Sequence, residues 1–253
     1  MSQVEIKNQD EIALMRDAGR IVSEILDELQ KSVAPGISTW ELDRLAESLI
    51  YKKGAKPAFK GYLGFPCCLC ASVNYEVVHG IPSKKRKLEQ GDLIKLDFGV
   101  VFKGYYGDSA RSIPVGTVSD EAKALIEATR ESLEKGIRAV VGGNRIGDIG
   151  HAVQSVVEPR GFSVVRDFVG HGIGKKLHEQ PQIPNFGEPG TGMKLREGMV
   201  LAIEPMVNAG TFQVEMLDDE WTAVTLDRRL SAHFEHTVVV TNNGPEVLTR
   251  PST

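Results

Sequence analysis

The chain has 253 residues and a formal net charge of −4, and its 41% hydrophobic and 25% charged residues are ordinary for a globular protein. This length is enough for a well-buried core in one large domain or two small ones. The charge balance offers no basic surface for DNA, no run of about 18 apolar residues predicts a membrane span, and the N-terminal region contains no apolar signal-peptide core. We therefore expect a cytoplasmic protein that binds neither DNA nor a membrane.

Two short clusters have simple interpretations. The basic run KKRK (84–87) is interpreted as a solvated loop, with a weak, transient contact with ribosomal RNA as the alternative. Cys67, Cys68 and Cys70 are an odd, clustered set, which is a poor disulfide framework and fits a reducing compartment. A zinc knuckle would need a second pair of cysteines, so we expect small, partly buried thiols.

The predicted elements come in two similar series. Asn8 with Glu11 begins a first helix in the manner of a capping box, and Ser38 with Glu41 begins a second helix that ends at Gly54. Two strand-like runs follow, LIKLDFGVVF (93–102) and YYGDSARSIPV (105–115). The series then restarts with predicted helices over 119–141 and 146–158 and strand-like runs over 162–170, 199–206 and 233–241.

A constant offset of 107 residues aligns the two series. It places Gly54 on Gly161, and it places KLEQGDLIKLD on KLREGMVLAIE, so that Asp97 falls on Glu204. One offset over two separate segments indicates an internal duplication. Equivalent carboxylates in equivalent strands predict a functional site between the halves. The chain is thus expected to be one domain over 1–253, with half-repeats of about 8–115 and 116–250.

Carboxylates occupy strand-like runs in both halves. Asp97 lies on the polar face of its run, and a two-residue turn at Lys103-Gly104 would make Asp97 and Asp108 diagonal neighbours about 7 Å apart. Glu204 precedes a proline, which favours extended backbone, and Glu235 lies in the run SAHFEHTVVV.

Each of these acids alone could be a surface carboxylate, but together they favour a metal site. Two unit charges about 4 Å apart repel by about 4 kcal/mol at an effective dielectric constant near 20. Two divalent cations would neutralise four carboxylates. Oxygen and nitrogen ligands without a thiolate suit Mn, Fe(II), Co or Zn.

The segment GHGIGKKLHEQP (170–181) contains two histidines and three alternating glycines. It lacks the spacing of a dinucleotide fingerprint, and its prolines exclude the helix that such a motif requires. A strand with glycines that admit another backbone is the better interpretation. Because His171 and His178 are seven residues apart, they face opposite sides of a continuous strand. One could then bind metal while the other reaches the site from the following bend.

These motifs resemble type I methionine aminopeptidases of the pita-bread metallopeptidase family. The similarity covers nearly the whole chain and depends on HGIP (79–82), LDFGV (96–100), YGDSAR (106–111), GHGIGKKLHEQP, IEPM (203–206) and FEHT (234–237). The resemblance implies an α+β pita-bread fold, in which two pseudo-symmetric halves pack helices on a curved antiparallel sheet. Prolidase-like relatives typically carry an extra N-terminal domain, which we do not expect here.

The resemblance also implies roles for individual residues. His79 and His178 would contact substrate, and the glycines between His171 and His178 would make room for a peptide N-terminus. Two divalent metal ions would be held by Asp97, Asp108, His171, Glu204 and Glu235. The methionine pocket would be formed by Phe59, Tyr62, Phe65, Cys70, Leu177, Met206 and Trp221. A loop-carbonyl site for one monovalent cation would involve Asn74 and Ser231.

The implied activity is removal of the N-terminal methionine from new polypeptides whose second residue is small. We hypothesise that a metal-bound water attacks the scissile carbonyl, that Glu204 takes its proton, and that His178 stabilises the carbonyl oxygen while His79 holds the leaving-side nitrogen. The expected partners are nascent polypeptide N-termini, and a monomer is expected.

The chain departs from the family pattern at Leu177, where an aromatic residue is common, and at His233, where glutamine is usual. Two alternatives remain at the level of sequence. They are a metal-free binding protein on the same fold, which would lose ligands, and a dinuclear hydrolase that cleaves Xaa-Pro or another amide.

Overall fold

The computed structural model describes residues 4–250. Its α-helices are α1 (Gln9–Ser32), α2 (Thr39–Lys52), α3 (Asp120–Arg138) and α4 (Ile146–Val157). Its strands are β1 (Lys56–Pro57), β2 (Cys70–Val73), β3 (Glu76–Val78), β4 (Leu93–Phe102), β5 (Tyr105–Pro114), β6 (Ser163–Val164), β7 (Gly170–Gly172), β8 (Glu179–Ile183), β9 (Val200–Ile203), β10 (Met206–Asn208), β11 (Val214–Met216), β12 (Ala223–Thr225), β13 (Ser231–His233), β14 (His236–Thr241) and β15 (Gly244–Val247). Short 3-10 turns lie at Tyr62–Gly64 and Glu158–Arg160.

The helix boundaries follow the local signals in the sequence. At the start of α1 the Asn8 side chain accepts from the Glu11 amide at 2.9 Å, and the Glu11 carboxylate accepts from the Asn8 amide at 2.9 Å. Ser38 and Glu41 make the same reciprocal pair at the start of α2. Gly54 and Gly161, which the repeat aligns, both adopt left-handed backbone just after a helix, with φ of 71° and 79°. The capping-box predictions for α1 and α2 are confirmed.

The β4–β5 hairpin has the predicted register. Lys103 and Gly104 form its turn with φ of 49° and 86°, a two-residue turn that matches the twist of the strands. Gly99 pairs with Asp108, and Asp97 pairs with Ala110. Asp97 and Asp108 are therefore diagonal neighbours on one face of the hairpin.

The sheets of the two halves are built alike. In the first half, β4 lies between β2 and β5 and pairs antiparallel with both; in the second half, β9 lies between β7 and β14 and does the same. Helices α1 and α2 bury one face of the first sheet through Val22, Leu42 and Phe98, and α3 and α4 cover the second. The opposite, polar faces of β4 and β5 are left for the site.

Three predicted strand runs are interrupted in the structure. The run over 162–170 contributes only β6 and the first residue of β7, and its middle bends along the site. The runs over 199–206 and 233–241 break at Glu204-Pro205 and at Phe234-Glu235. Pro205 has no amide hydrogen for a ladder bond. Glu204 therefore lies just beyond the end of β9, not within it.

Within residues 4–250, no helix combines the length and the apolarity needed to cross a membrane. The three cysteines are free, and burial raises the pKa of the Cys67 and Cys68 thiols to about 11 and about 12. They are therefore thiols at neutral pH, as the sequence indicated.

Candidate active site

A pocket with a cavity volume of about 220 Å³ lies where the two halves meet. Its lining includes each residue that the sequence assigned to metal ions, to catalysis or to the methionine pocket. These are Phe59, Tyr62, Phe65, Cys70, His79, Asp97, Asp108, His171, Leu177, His178, Glu204, Met206, Trp221 and Glu235. Asn74 and Ser231, assigned to a monovalent cation, are not among the lining residues.

The first-half carboxylates project from the regular hairpin. Asp97 and Asp108 are 9% and 3% exposed, so burial removes most of their contact with water. Gly99 lies directly across from Asp108, and a Cβ on Gly99 would approach Asp108 Oδ1 to 3.3 Å and Gly107 O to 3.0 Å. The absence of a side chain at Gly99 leaves room for the Asp108 carboxylate.

The second-half carboxylates are held by hydrogen bonds to their backbone. The Glu235 amide donates to Ala110 O at 3.0 Å, and Ser109 Oγ donates to Glu235 O at 2.5 Å. Asn185 Nδ2 donates to Glu204 O at 3.0 Å. Strand β5 thus fixes Glu235 directly beside Asp108, across the boundary between the halves.

His171 presents one ring nitrogen to this cluster. Its Nδ1 lies 2.9 Å from Gly172 O, which can only accept, so Nδ1 carries the hydrogen and Nε2 keeps its lone pair. Nε2 lies 3.5 Å from Glu204 Oε1. Burial lowers the pKa of His171 to about 3, and the neutral ring is the form that binds metal.

The donor set fits divalent cations. Ligand atoms of Asp108, His171 and Glu235 all lie within 4.8 Å of one another. Within residues 4–250, Asp97 Oδ1, Asp108 Oδ1 and Glu235 Oε1 are buried and have no hydrogen-bond partner. Buried carboxylate oxygens that converge without donors match a cation better than a hydrogen-bond network.

The carboxyl groups also perturb one another. Burial, and then the neighbouring carboxylates, raise the pKa values of Asp97, Glu204 and Glu235 well above their usual range. Burial raises the pKa of Asp108 to about 7. Divalent cations would compete with protons for these groups, so metal affinity must fall as the pH falls.

His178 and His79 reach the pocket from bends. The ring centroids of His178 and His171 are 4.3 Å apart at 71°, and Tyr62 Oη lies 2.7 Å from His178 Nδ1. His79 has left-handed backbone with φ of 60°, which a non-glycine residue adopts at a cost. Its ring packs edge-on against Phe168, and burial lowers its pKa to about 4.

The glycines of GHGIG admit protein atoms at the positions where side chains would lie. A Cβ on Gly170 would lie 2.4 Å from Ala202 O, and one on Gly172 would lie 2.2 Å from Gln180 O. A Cβ on Gly174 would lie 2.3 Å from Lys7 Cε. The close backbone approach inferred from the alternating glycines is therefore present, and the protein fills the space itself.

The apolar part of the pocket lies beside the carboxylates. Phe65 and Trp221 pack edge to face with centroids 5.1 Å apart, and Leu177 and Met206 are buried. Cys70 pairs with Asp97 across β2 and β4. The sequence did not assign four further lining residues, Leu63, Val78, Phe168 and Val169. The last two directly precede GHGIG, which was the available signal.

His233, noted in the sequence only as a departure, lies against the carboxylates. It is buried, and neither ring nitrogen has a hydrogen-bond partner among the described residues. Its Nε2 is 3.9 Å from Glu204 Oε2. Burial lowers the pKa of His233 to about 3, so it adds a neutral ring beside Glu204.

The Asn74 carbonyl oxygen does not fit a monovalent cation. The Asn74 carbonyl oxygen accepts from Lys95 Nζ at 2.7 Å and from the Ser231 amide at 3.0 Å. A carbonyl oxygen has two lone pairs, and both are engaged. The lysine also brings a competing positive group to the same oxygen.

Residues 13–242 match the model of metallopeptidase family M24. The chain belongs to this family, and with it the predicted pita-bread fold is confirmed.

Within that family the chain belongs with the methionine aminopeptidases. It is 54% identical to the methionine aminopeptidase of Clostridium acetobutylicum over 96% of this chain and 98% of the relative. The crystal structure of a methionine aminopeptidase from Thermotoga maritima matches with a TM-score of 0.97 and 48% identity, over 98% of this chain and 100% of that one. The prolidase of Pyrococcus furiosus matches with a TM-score of 0.80 and 25% identity, but this chain covers only 66% of it. The similarity to these methionine aminopeptidases therefore extends over nearly the whole of both chains.

Proposed function

We propose that the protein is a metal-dependent methionyl aminopeptidase, which removes the N-terminal methionine of new polypeptides whose second residue is small. The observation that carries the proposal is one pocket in which a buried Asp, His and Glu cluster adjoins an apolar, aromatic-walled space. The cavity is smaller than the roughly 300 Å³ at which ligand pockets usually begin. A single unbranched side chain such as methionine suits it.

In this proposal two divalent ions would be held by Asp97, Asp108, His171, Glu204 and Glu235. Bound there, the ions would acidify a water molecule and polarise the scissile carbonyl. Glu204 would take a proton from the attacking water and pass it to the leaving amine. The proximity of Glu204 Oε1 to His171 Nε2, at 3.5 Å, supports a carboxylate beside the metal cluster.

His178 stabilises the charge that develops on the carbonyl oxygen. Tyr62 Oη lies 2.7 Å from His178 Nδ1, and in the tautomer with the hydrogen on Nε2 the hydroxyl would donate to Nδ1 while Nε2 donates to the substrate. The low pKa that burial gives to His178 keeps the ring neutral, so that it donates without adding a charge near the cations. Tyr62 thereby acts as a positioning residue for His178 as well as a pocket wall.

His79 holds the leaving-side nitrogen of the substrate. Its ring lies edge-on to Phe168 and, at a centroid distance of 6.4 Å, to Trp221. These aromatic neighbours fix the ring between the apolar space and the carboxylates. Its strained backbone is tolerated because it aims the ring into the pocket.

The biological setting follows from the substrate. Nascent N-termini emerge in the cytoplasm, so we assign the protein there, as a monomer that meets ribosomes transiently. Free cysteine thiols agree with a reducing compartment.

Peptide hydrolysis with defined metals tests the proposal. We expect methionine release from Met-Ala-Ser with Mn(II) or Co(II), much slower release from Met-Lys-Ser, and none after chelation. Ala-Pro-Ser serves as the substrate of the prolidase alternative. Failure to cleave Met-Ala-Ser with Mn(II), Fe(II), Co(II) or Zn(II) would refute the proposal, and chelator-resistant cleavage would refute the metal mechanism.

A further inference from the structure

Lys95 is among the largest fully buried side chains of residues 4–250, with 1% exposure. It lies on β4 two residues before Asp97, and therefore on the same face of the strand. Its neighbours across the sheet are Ser72 on β2 and Ser112 on β5. Burying a lysine costs folding free energy unless its ammonium group is paired, so we expect Lys95 to have specific partners.

The Lys95 side chain ends at the turn between β2 and β3. Its Nζ donates to the carbonyl oxygen of Asn74 at 2.7 Å, and the Ser231 amide donates to the same oxygen at 3.0 Å. Asn74 has left-handed backbone with φ of 55°, which turns its carbonyl group out of the strand ladder. Three segments therefore meet at one oxygen atom.

Carboxylates near this point compensate the positive charge. Glu76 and Asp92 are the acidic groups that interact electrostatically with Lys95, and Arg86 is the opposing basic group. Asp92 Oδ1 accepts from Asn74 Nδ2 at 2.8 Å, and Glu76 Oε2 accepts from the Val73 amide at 2.5 Å. The lysine thus has an oxygen acceptor and two acidic groups, as a bound cation would.

We propose that the Lys95 ammonium group is a built-in substitute for a monovalent cation at the Asn74 carbonyl. An ammonium group is similar in size to a potassium ion, and it fills the free lone pair that such an ion would need. It links the β2–β3 turn, β4 and β13, the segments that lead to His79, Asp97 and Glu235. Because the cation is covalently attached, the fold and the site need no potassium or sodium.

Thermal unfolding of the full-length protein with a fixed Mn(II) concentration tests this directly. We expect the same Tm, within about 1 °C, in potassium chloride, sodium chloride and choline chloride at equal ionic strength, since an ion that binds only the native state would raise it. A higher Tm in potassium or sodium than in choline would overturn the proposal. This readout does not depend on the peptidase activity.

Two substitutions test whether the lysine replaces an ion. Lys95→Ala opens space at the Asn74 oxygen, so its Tm in choline should fall by about 5 °C and should largely recover with potassium or sodium. Lys95→Met fills the space with an apolar chain, and its loss should not recover with any salt. Lys7→Ala removes another buried lysine, which pairs with Glu179, and should also lose stability without ion dependence.

If Lys95→Ala folds and shows the same Tm in all three salts, the substitution hypothesis is wrong. If neither Lys95 variant folds, the wild-type comparison decides alone, because a cation effect in the wild type contradicts the proposal and its absence supports it.

Discussion

The two halves of the molecule deliver their carboxylates in different ways. Asp97 and Asp108 project from a continuous hairpin of two ten-residue strands, whereas Glu204 and Glu235 lie just beyond strand ends. A hairpin fixes its side chains through its own hydrogen-bond ladder. A residue beyond a strand end depends on neighbours, here Ser109, Ala110 and Asn185. The first-half carboxylates are therefore positioned by their own hairpin, whereas the second-half carboxylates are positioned by hydrogen bonds from and to other segments.

Removing a carboxylate from the β4–β5 hairpin should have the largest effect. Asp108→Asn keeps the shape of the side chain but removes a negative charge and weakens a ligand, so we expect more than about a 100-fold loss in kcat/KM, beyond the roughly 10- to 100-fold that outer partners of metal sites contribute. Metal content after dialysis, measured by atomic emission, should fall in parallel. Full metal occupancy in Asp108→Asn would show that Asp108 is not a ligand.

Metal affinity should also depend on the hydrogen bonds that hold the second-half carboxylates. Ser109→Ala removes the donor to Glu235 O, so we expect about a 10-fold loss in metal affinity by competition with a chelator. Ser112→Ala is the matched control, since Ser112 on the same strand bonds to His233 O at 2.8 Å and not to a ligand candidate. Equal metal affinities in the two variants would contradict the idea that β5 positions Glu235.

A contact between the halves should affect turnover rather than metal binding. Tyr62→Phe removes the hydroxyl that orients His178, and we expect kcat to fall about 10-fold with little change in KM for Met-Ala-Ser. The test is a double-mutant cycle. In a His178→Ala background, Tyr62→Phe should have almost no further effect on kcat. Additive losses would instead assign Tyr62 to the pocket wall alone.

The same contrast explains what the sequence could predict. The register of Asp97 and Asp108 followed from a turn of known type and strand alternation, which are local rules. The repeat and the motifs pointed to Glu204 and Glu235. The strands predicted around them were too long, because a hydrophobic pattern does not reveal where a hydrogen-bond ladder ends. A continuous strand would separate His171 and His178, yet the bend between them brings their rings to 4.3 Å.

Contacts between distant segments were beyond local rules altogether. The hydrogen bond from Lys95 to Asn74 joins β4 to the turn between β2 and β3. His233 lies near Glu204 because β13 pairs with β10. Lys95 directly precedes LDFGV and His233 directly precedes FEHT, but neither motif indicates these contacts. Buried polar contacts such as these depend on tertiary packing, whereas the helix starts depend on residues three apart in the sequence.

The smallest effect should come from a helix start that contributes no candidate metal ligand, where local sequence dominates. Glu11 caps α1 and also accepts from Lys175 Nζ and Tyr105 Oη, both at 2.9 Å. The hydrogen bond from the Asn8 amide, followed by that from Lys175, lowers the pKa of Glu11 to about 2 from an ordinary 4.5. We expect Glu11→Gln to reduce the free energy of unfolding by about 1 kcal/mol at pH 7, with metal affinity unchanged.

The sign of the pH dependence follows from that lowered pKa. The unfolded chain protonates Glu11 near pH 4.5, whereas the folded protein does so only near pH 2. The stabilisation is therefore complete above about pH 4.5, and it decreases as the pH falls toward 2. Urea unfolding of wild type and Glu11→Gln from pH 7 downward should show the two curves converging over that interval. A constant difference across the interval would mean that the carboxylate charge does not stabilise this helix start.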